Sequence, residues 1–298
     1  MKILCIGSFN QDMVYSVDHI AAAGETVLSS ALDRYWGGKG LNQAVATARS
    51  FDEVYIAGMV NRQEMNIRSF LKSNNLHDEF LAFSDKPTGH AIISVDKRGM
   101  NSITVYGGAN QALTEDYISD VLSHFEPGDI VLLQNETNAL EYIINTAHMS
   151  GLRIALNPSP FSKELLQLPL MYVDFFLLNE IEGYQITGQT EPQKILDAMY
   201  GKFPKASIVL TLGKKGALYS VNGQIYSHGV YDVQVVDTTA AGDTFTGYFL
   251  AGLAKGLSPE ALLELASIAS SIAVSQAGAT TSIPYLKQVL EFKEQLSK

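Results

Sequence analysis

The sequence predicts an α/β protein: a doubly wound, mostly parallel sheet flanked by helices, with a small β-sheet lid. Three observations carry the prediction. Near-continuous apolar runs rich in β-branched residues alternate with helix-like segments, the pattern of parallel strands buried on both faces. Two other stretches, residues 10–36 and 88–106, alternate apolar and polar residues with period two. The C-terminal third repeats apolar residues at helical spacing. A chain of 298 residues suffices for one large domain, so residues 1–298 read as a single α/β domain carrying the lid within it.

In chain order, the buried runs are ILCIG (3–7), VYIAG (54–58), DIVLLQ (129–134), RIALN (153–157), DFFLLN (174–179) and SIVLTLG (207–213). Between them, GLNQAVATARS follows Lys39, TEDYISDVLSHF opens on a Thr-Glu-Asp start signal, and TNALEYIINTAHMS and EPQKILDAMYGKF carry helical spacing. Strand–helix alternation of this kind winds right-handed. The segment 90–106 reads as a hairpin turning at Asp96-Lys97-Arg98-Gly99, and 25–36 as one further strand. Gly37-Gly38 and Gly107-Gly108 end the two lid segments and would serve as hinges; an antiparallel edge on the main sheet is the competing reading. Residues 242–256, 258–277 and 283–296 read as the closing helices, with Pro259 and Pro284 near helix starts.

Composition narrows the function. Hydrophobic residues are 46% and charged residues 17%, a globular balance. The net charge of −10, with no Lys/Arg block, argues against nucleic acid and anionic membranes as partners. No apolar run is long enough to span a bilayer, and MKILCIGSFN reads as a first strand and not as a signal peptide. Cys5 is the only cysteine and sits within an apolar run, so it reads as a small buried hydrophobe; these features fit a cytoplasmic protein.

The chemistry centres on Asp243. The residues before it, Ala240, Ala241 and Gly242, are small, and a helix starting here would leave their backbone N–H groups open to an anion, with the dipole in support. A carboxylate in the same turn could take a proton from a hydroxyl beside that anion, the pairing that phosphoryl transfer to an alcohol needs. Alone, Asp243 reads more economically as a helix-start acid. WGGKGLNQA (36–44) puts Lys39 and Asn42 in the first turns of a helix, but it is no Walker A loop, and GSFNQDM lacks a dinucleotide fingerprint. Asn10, Asp12, Lys39 and Asn42 suit several sugar hydroxyls, or simply turns. Glu136, Asn179, Glu180 and Glu182 follow buried runs, where acids suit hydroxyls or a hydrated Mg²⁺, or merely begin helices. The six histidines show no zinc spacing.

Taken together, NQD (10–12), GGKGLNQA (37–44), PTGHAIISVD (87–96), GGAN (107–110), NEIEGYQITG (179–188), TLGKKG (211–216) and DTTAAGDTFTGYF (237–249) resemble the ribokinase-like (phosphofructokinase-B type) carbohydrate kinases, the ribokinase branch most closely. The likeness runs along nearly the whole chain in order, and its last motif is highly specific. It implies ATP-dependent phosphorylation of a sugar CH₂OH, most naturally a pentose such as ribose, and a lid that often forms a homodimer contact. It implies Asp243 as base and the N–H groups of Ala240 to Asp243 as anion hole. Asn10, Asp12, Gly38, Lys39, Asn42 and Glu136 would hold the sugar. Asn179 and Glu182 would orient the triphosphate and Mg²⁺ through water, and Thr211, Gly213 and Gly216 would line the nucleotide. A monovalent cation, usually K⁺ in such kinases, would take Asp237, Thr239, Ala273, Gln276, Gly278 and Ser282 as ligands. The pattern departs in AGMVNRQEMN (57–66), where Asn61 and Asn66 replace common glycines, and in the approach to the lid, which lacks a usual proline. Two alternatives stand beside this reading. One is a nucleoside kinase of the same superfamily, with Trp36 or Tyr106 stacking the base. The other is a sugar- or nucleotide-binding protein without turnover.

Overall fold

A computed structural model of the chain describes residues 1–296. Strands β1 (Ile3–Ile6), β4 (Val54–Asn61), β5 (Leu81–Ser84), β8 (Ile130–Gln134), β9 (Arg153–Asn157), β10 (Phe175–Asn179) and β11 (Ser207–Thr211) run parallel in one sheet. Strands β12 (Ala217–Val221) and β13 (Gln224–His228) extend it antiparallel, giving the order β13-β12-β11-β10-β9-β8-β1-β4-β5. The six expected core runs are all present as parallel strands. The edge hairpin escaped the sequence reading, although Asn222-Gly223 marks it. Both residues take positive φ (51° and 75°), the backbone of a tight two-residue hairpin turn.

The sheet is sandwiched because its strands are apolar on both faces. In β1, Ile3 and Cys5 face one way and Leu4 and Ile6 the other, and each pair joins a different core cluster. The first layer is built from α1 (Lys39–Ala48), α2 (Ile67–Ser73), α7 (Ala241–Ala254), α8 (Pro259–Val274) and α9 (Leu286–Leu296). The second contains α3 (Glu115–Leu122), α4 (Leu140–Met149), α5 (Glu180–Thr187) and α6 (Pro192–Lys202). Among the described residues no helix is long and apolar enough to cross a membrane.

The period-two segments form a separate four-stranded sheet, order β3-β2-β6-β7, from β2 (Asn10–Ser16), β3 (Ala31–Gly37), β6 (Gly89–Val95) and β7 (Asn101–Tyr106). This decides for the lid over the edge. β3 is shorter than expected, since residues 25–30 are not strand. The turn at 96–99 is as expected: the Asp96 carboxylate accepts from the N–H groups of Arg98 and Met100, and Gly99 takes φ 77°. At the hinges Gly38 (φ 94°) and Gly108 (φ 51°) occupy backbone that other residues adopt poorly.

β1 is the switch point of the sheet. The chain builds outward to β4 and β5 on one side and from β8 to β11 on the other. Ligands of such sheets bind in the crevice beyond the carboxyl ends of the strands at this point.

Candidate active site

Two clefts open beside the start of α7, past the carboxyl ends of β9, β10 and β11. The first, of about 230 Å³, is lined by Lys39, Asn179, Glu182, Thr211, Ala240, Gly242 and Asp243, among others. The second, of about 130 Å³, shares Thr211 and Gly242 and adds Gly213, Gly216 and Ala241. Val230, Ser267, Ser270 and Ser271 also line it; the sequence reading missed them because helical serines and a lone loop valine carry no motif.

Helix α7 supplies the junction. Ala240, its N-cap, sits in the left-handed region at φ 58°, an uncommon backbone for a residue with a Cβ. Thr244 N–H donates to Ala240 C=O and Ala241 N–H to Thr238 C=O, the latter at a long 3.3 Å. The Ala240, Gly242 and Asp243 N–H groups have no partner among the described residues, so the expected four open donors are three. A Cβ added at Gly242 would meet nothing within 4 Å. Neither packing nor φ demands glycine there, and its absent side chain leaves the donors in open space.

Asp243 is buried, and both its oxygens are held by amides of α1: Asn42 Nδ2 donates to Oδ2 at 3.0 Å and Gln43 Nε2 to Oδ1 at 2.8 Å. Asn42, expected on the sugar, therefore turns its NH₂ to Asp243. Its Oδ1 is buried without a partner. The helices come this close because Gly247 faces α1; a Cβ there would lie 2.4 Å from that of Ala46. The Lys39 side chain lines the same cleft, where the Asp243 carboxylate raises its pKa; burial opposes this, and Glu136 and Glu182 reinforce it.

A second cluster forms where β1, α1 and β8 meet the lid. Ser8 Oγ donates to Glu136 Oε2, as does Lys39 N–H at 2.9 Å, and Gly40 N–H donates to Ser8 Oγ at 3.1 Å. Burial pushes the Glu136 pKa up, against the lowering by these donors. Gly38 φ allows this turn, and a Cβ there would crowd Ser8 Oγ at 3.0 Å. The Asn10 side chain accepts from Asn110 Nδ2 at 2.9 Å, while Asn110 also pairs with the Phe9 backbone. Asp12 has no hydrogen-bond partner for its carboxylate among the described residues. Burial, then the charges of Glu136 and Asp243, raise its pKa to about 7.

The β-register sorts the lid's two faces. Asp12 pairs with Tyr35 and Ala91, and so shares its face with them and with Val105. Trp36 and Tyr106 register with Gln11 and His90, on the opposite face.

Asn179 and Glu182 line the first cleft, and they also form a capping box on α5. Asn179 Oδ1 accepts from the N–H groups of Ile181 and Glu182 at 2.9 Å, and Glu182 Oε2 from that of Asn179 at 3.0 Å. The helix-start reading and the ligand reading thus fall on the same side chains.

Of the six expected cation ligands, the structure gathers three around one carboxylate and joins two others to each other. Asp237 Oδ1 accepts from Thr239 N–H (2.9 Å) and Oγ1 (2.6 Å), and Oδ2 from Gly278 N–H (3.0 Å). Burial would raise the Asp237 pKa, but these donors outweigh it and hold the carboxyl below its ordinary value. Ala273 C=O accepts from Gln276 N–H, and Ser282 Oγ donates to Ala279 C=O within its own turn. The Asp237 carboxylate supplies the oxygen chemistry of a hard cation, and its contacts in the structure are N–H and O–H donors. Among the described residues no group of three or more His, Cys, Asp and Glu side chains forms a metal site.

The departing segment stands apart from both clefts. Neither Asn61 nor Asn66 takes positive φ, so glycine is not required. Asn61 instead ties β4 to the lid approach, through its N–H to Thr88 Oγ1 and its Nδ2 to Lys86 C=O.

A doubly wound sheet with a β-lid over its switch point, and small residues opening a helix beside a buried aspartate, defines the ribokinase-like class of kinases. The chain belongs to the pfkB family of carbohydrate kinases, whose model matches residues 1–286, and it is an ATP-dependent kinase. It is 32% identical over 299 residues to the ribokinase of Bacillus subtilis, covering 98% of this chain and 99% of that one. It is 35% identical over 312 residues to the bifunctional ribokinase/ribose-5-phosphate isomerase A of Fructilactobacillus sanfranciscensis, with all of this chain covering 57% of that protein. The structure of Arabidopsis thaliana ribokinase complexed with ribose and ATP superposes with a TM-score of 0.83, at 27% identity and 97% coverage of both chains.

Proposed function

We propose that this kinase phosphorylates the CH₂OH hydroxyl of a pentose, ribose foremost, at the junction of the two clefts. The observation that carries the proposal is the join of Asp243, fixed by two amides, to three unpartnered N–H groups at the start of α7. Asp243 takes the proton of the sugar hydroxyl. The resulting oxygen bonds to the γ-phosphorus as the bond from that phosphorus to the β,γ-bridging oxygen breaks, and ADP leaves. The N–H groups of Ala240, Gly242 and Asp243, with Lys39, offset the charge on the phosphoryl oxygens. Asn10, Asp12, Gly38, Lys39, Asn42 and Glu136 hold the sugar, with Asn42 Oδ1 as a waiting acceptor. Thr211, Gly213 and Gly216 take the nucleotide. Mg²⁺, when bound, neutralises triphosphate charge, and Asn179 and Glu182 orient its waters. Asp237, Thr239, Ala273, Gln276, Gly278 and Ser282 would hold K⁺, whose charge would steady the loop before α7. Closure of the lid keeps water from competing as nucleophile.

Ribose is favoured over a nucleoside because Trp36 and Tyr106, the two aromatic residues singled out in the sequence to stack a base, lie on the lid face turned away from Asp12. The ribokinase complexed with ribose and ATP and the ribokinase relatives support the same choice. The test is ATP turnover on ribose, fructose, a deoxy sugar and adenosine, each with and without K⁺. Ribose should give the highest kcat/KM, and a preference for adenosine would overturn the assignment. The lid face shared with Asp12 also exposes Tyr35, Ile103 and Val105, an apolar strip suited to a second copy. Ile103→Glu should turn a dimer into a monomer in sedimentation; a wild-type monomer refutes the contact.

A further inference from the structure

Gln43 belongs to none of the residue sets assigned above, yet it is fully buried and central to a chain of amides ending on Asp243. Its Nε2 donates to Asp243 Oδ1 at 2.8 Å and to Asn157 Oδ1 at 3.2 Å, so both N–H bonds are engaged. Its Oε1 accepts from Gln134 Nε2 at 2.7 Å. Asn157 in turn donates through Nδ2 to Leu177 C=O at 2.7 Å.

The direction of this chain is forced. An ionised carboxylate only accepts and a carbonyl only accepts. Asp243 therefore demands the NH₂ of Gln43, and Leu177 demands the NH₂ of Asn157, which leaves Asn157 Oδ1 as a second acceptor for Gln43. The Gln43 oxygen is then left to face Gln134, which must present its own NH₂. Flipping any one amide sets oxygen against oxygen or N–H against N–H. Gln134, Asn157 and Leu177 lie on β8, β9 and β10, three neighbouring strands of the rigid sheet. Through one side chain the carboxylate on α7 is referenced to all three.

We propose that Gln43 is a positioning residue for Asp243, with Gln134 locking its amide, so that the carboxylate meets the substrate hydroxyl in one fixed rotamer. This inference rests on the reading of Asp243 as base. A fixed base is worth the alignment it provides; a displacement of about 1 Å costs on the order of a hundredfold in rate.

The experiment compares kcat, both KM values and the pH profile of kcat in the full-length wild type, Gln43→Leu, Gln43→Glu, Gln134→Leu and Asp243→Asn proteins. Gln43→Leu should lower kcat about 10- to 100-fold, with both KM values within about threefold. Gln134→Leu should lower kcat by a smaller factor. Gln43→Glu sets a second carboxylate against Asp243, so the two share a proton and the acid limb of the profile should move up by about one pH unit or more. The other titratable groups facing Asp243 are Lys39 on α1, Asp12 on the lid, Glu136 after β8, Glu182 on α5 and Cys5 on β1; all are retained, which assigns the shift to position 43. Wild-type kcat in Gln43→Leu overturns the proposal. If that protein does not fold, an unmoved profile in Gln43→Glu together with unchanged kcat in Gln134→Leu overturns it. Should Asp243→Asn retain turnover, the base assignment itself falls; an inactive Asp243→Asn beside a fully active Gln43→Leu removes only the role of Gln43.

Discussion

Two carboxylates near enough to feel each other's charge are built in opposite ways. Asp243, on the core helix α7, receives an amide N–H on each oxygen and stands beside Lys39. Asp12, on the lid strand β2, receives none and is pushed up to about 7 by burial and by its acidic neighbours. The carboxylate rests over Gly37, where a Cβ would lie 2.1 Å from Asp12 Oδ2 and force the side chain to move. A group satisfied by the protein is fixed before substrate arrives, which is what a base needs. A half-buried carboxylate left without donors is unsatisfied until a ligand supplies them, which is what a recognition residue needs.

The comparison can be broken at its strong end first. Asp243→Asn should lower kcat by about a thousandfold or more while leaving folding and nucleotide binding intact, and steady-state kinetics showing near-normal kcat would end the assignment. Gly242→Val comes next. The protein has room for the side chain, so melting should change little, but the valine would stand where the anion approaches, and kcat should fall about a hundredfold. Unchanged kcat would mean that no anion binds there.

Asp12→Asn tests the other end. The sugar KM should rise about tenfold with kcat within a few-fold, and a reversed split would make Asp12 a second catalytic group. The smallest effect is on stability. Asp12 has its folded pKa raised from 3.8 to about 7, so its favourable contribution is present below the unfolded pKa and lost as pH rises to about 7. The ligand-free Asp12→Asn protein should therefore melt with the wild type near pH 4. It should gain a few degrees over it as pH rises to about 7, and the gain should then level off. A gain independent of pH would mean that the carboxylate is not strained by its surroundings.

Much of this was legible in the sequence because its signals are local. Buried strands declare themselves by apolar runs, lid strands by alternation, and the start of α7 by Ala240-Ala241-Gly242. The β12–β13 hairpin carried an equally local signal in Asn222-Gly223, which went unread because the segment lacks a strong apolar run. The donor count at α7 could not be read, since whether Ala241 N–H is engaged depends on where Thr238 C=O turns. Nor could the double use of Asn179 and Glu182, since a capping box and a ligand site draw on the same residue types.

The sequence by itself determined the fold class, the family and the position of the small-residue turn before Asp243, since each depends on residues close together in the chain. Only the tertiary structure decided which partners complete those residues. Gln43 and Asp243 are 200 residues apart, and they meet because Gly247 lets two helix backbones approach. Trp36 and Tyr35 are adjacent in sequence, yet the pleat sends them to opposite faces and only the register with β2 says which one shares the side of Asp12. Contacts of that separation are set by packing and pairing across the whole sheet, and no local pattern encodes them.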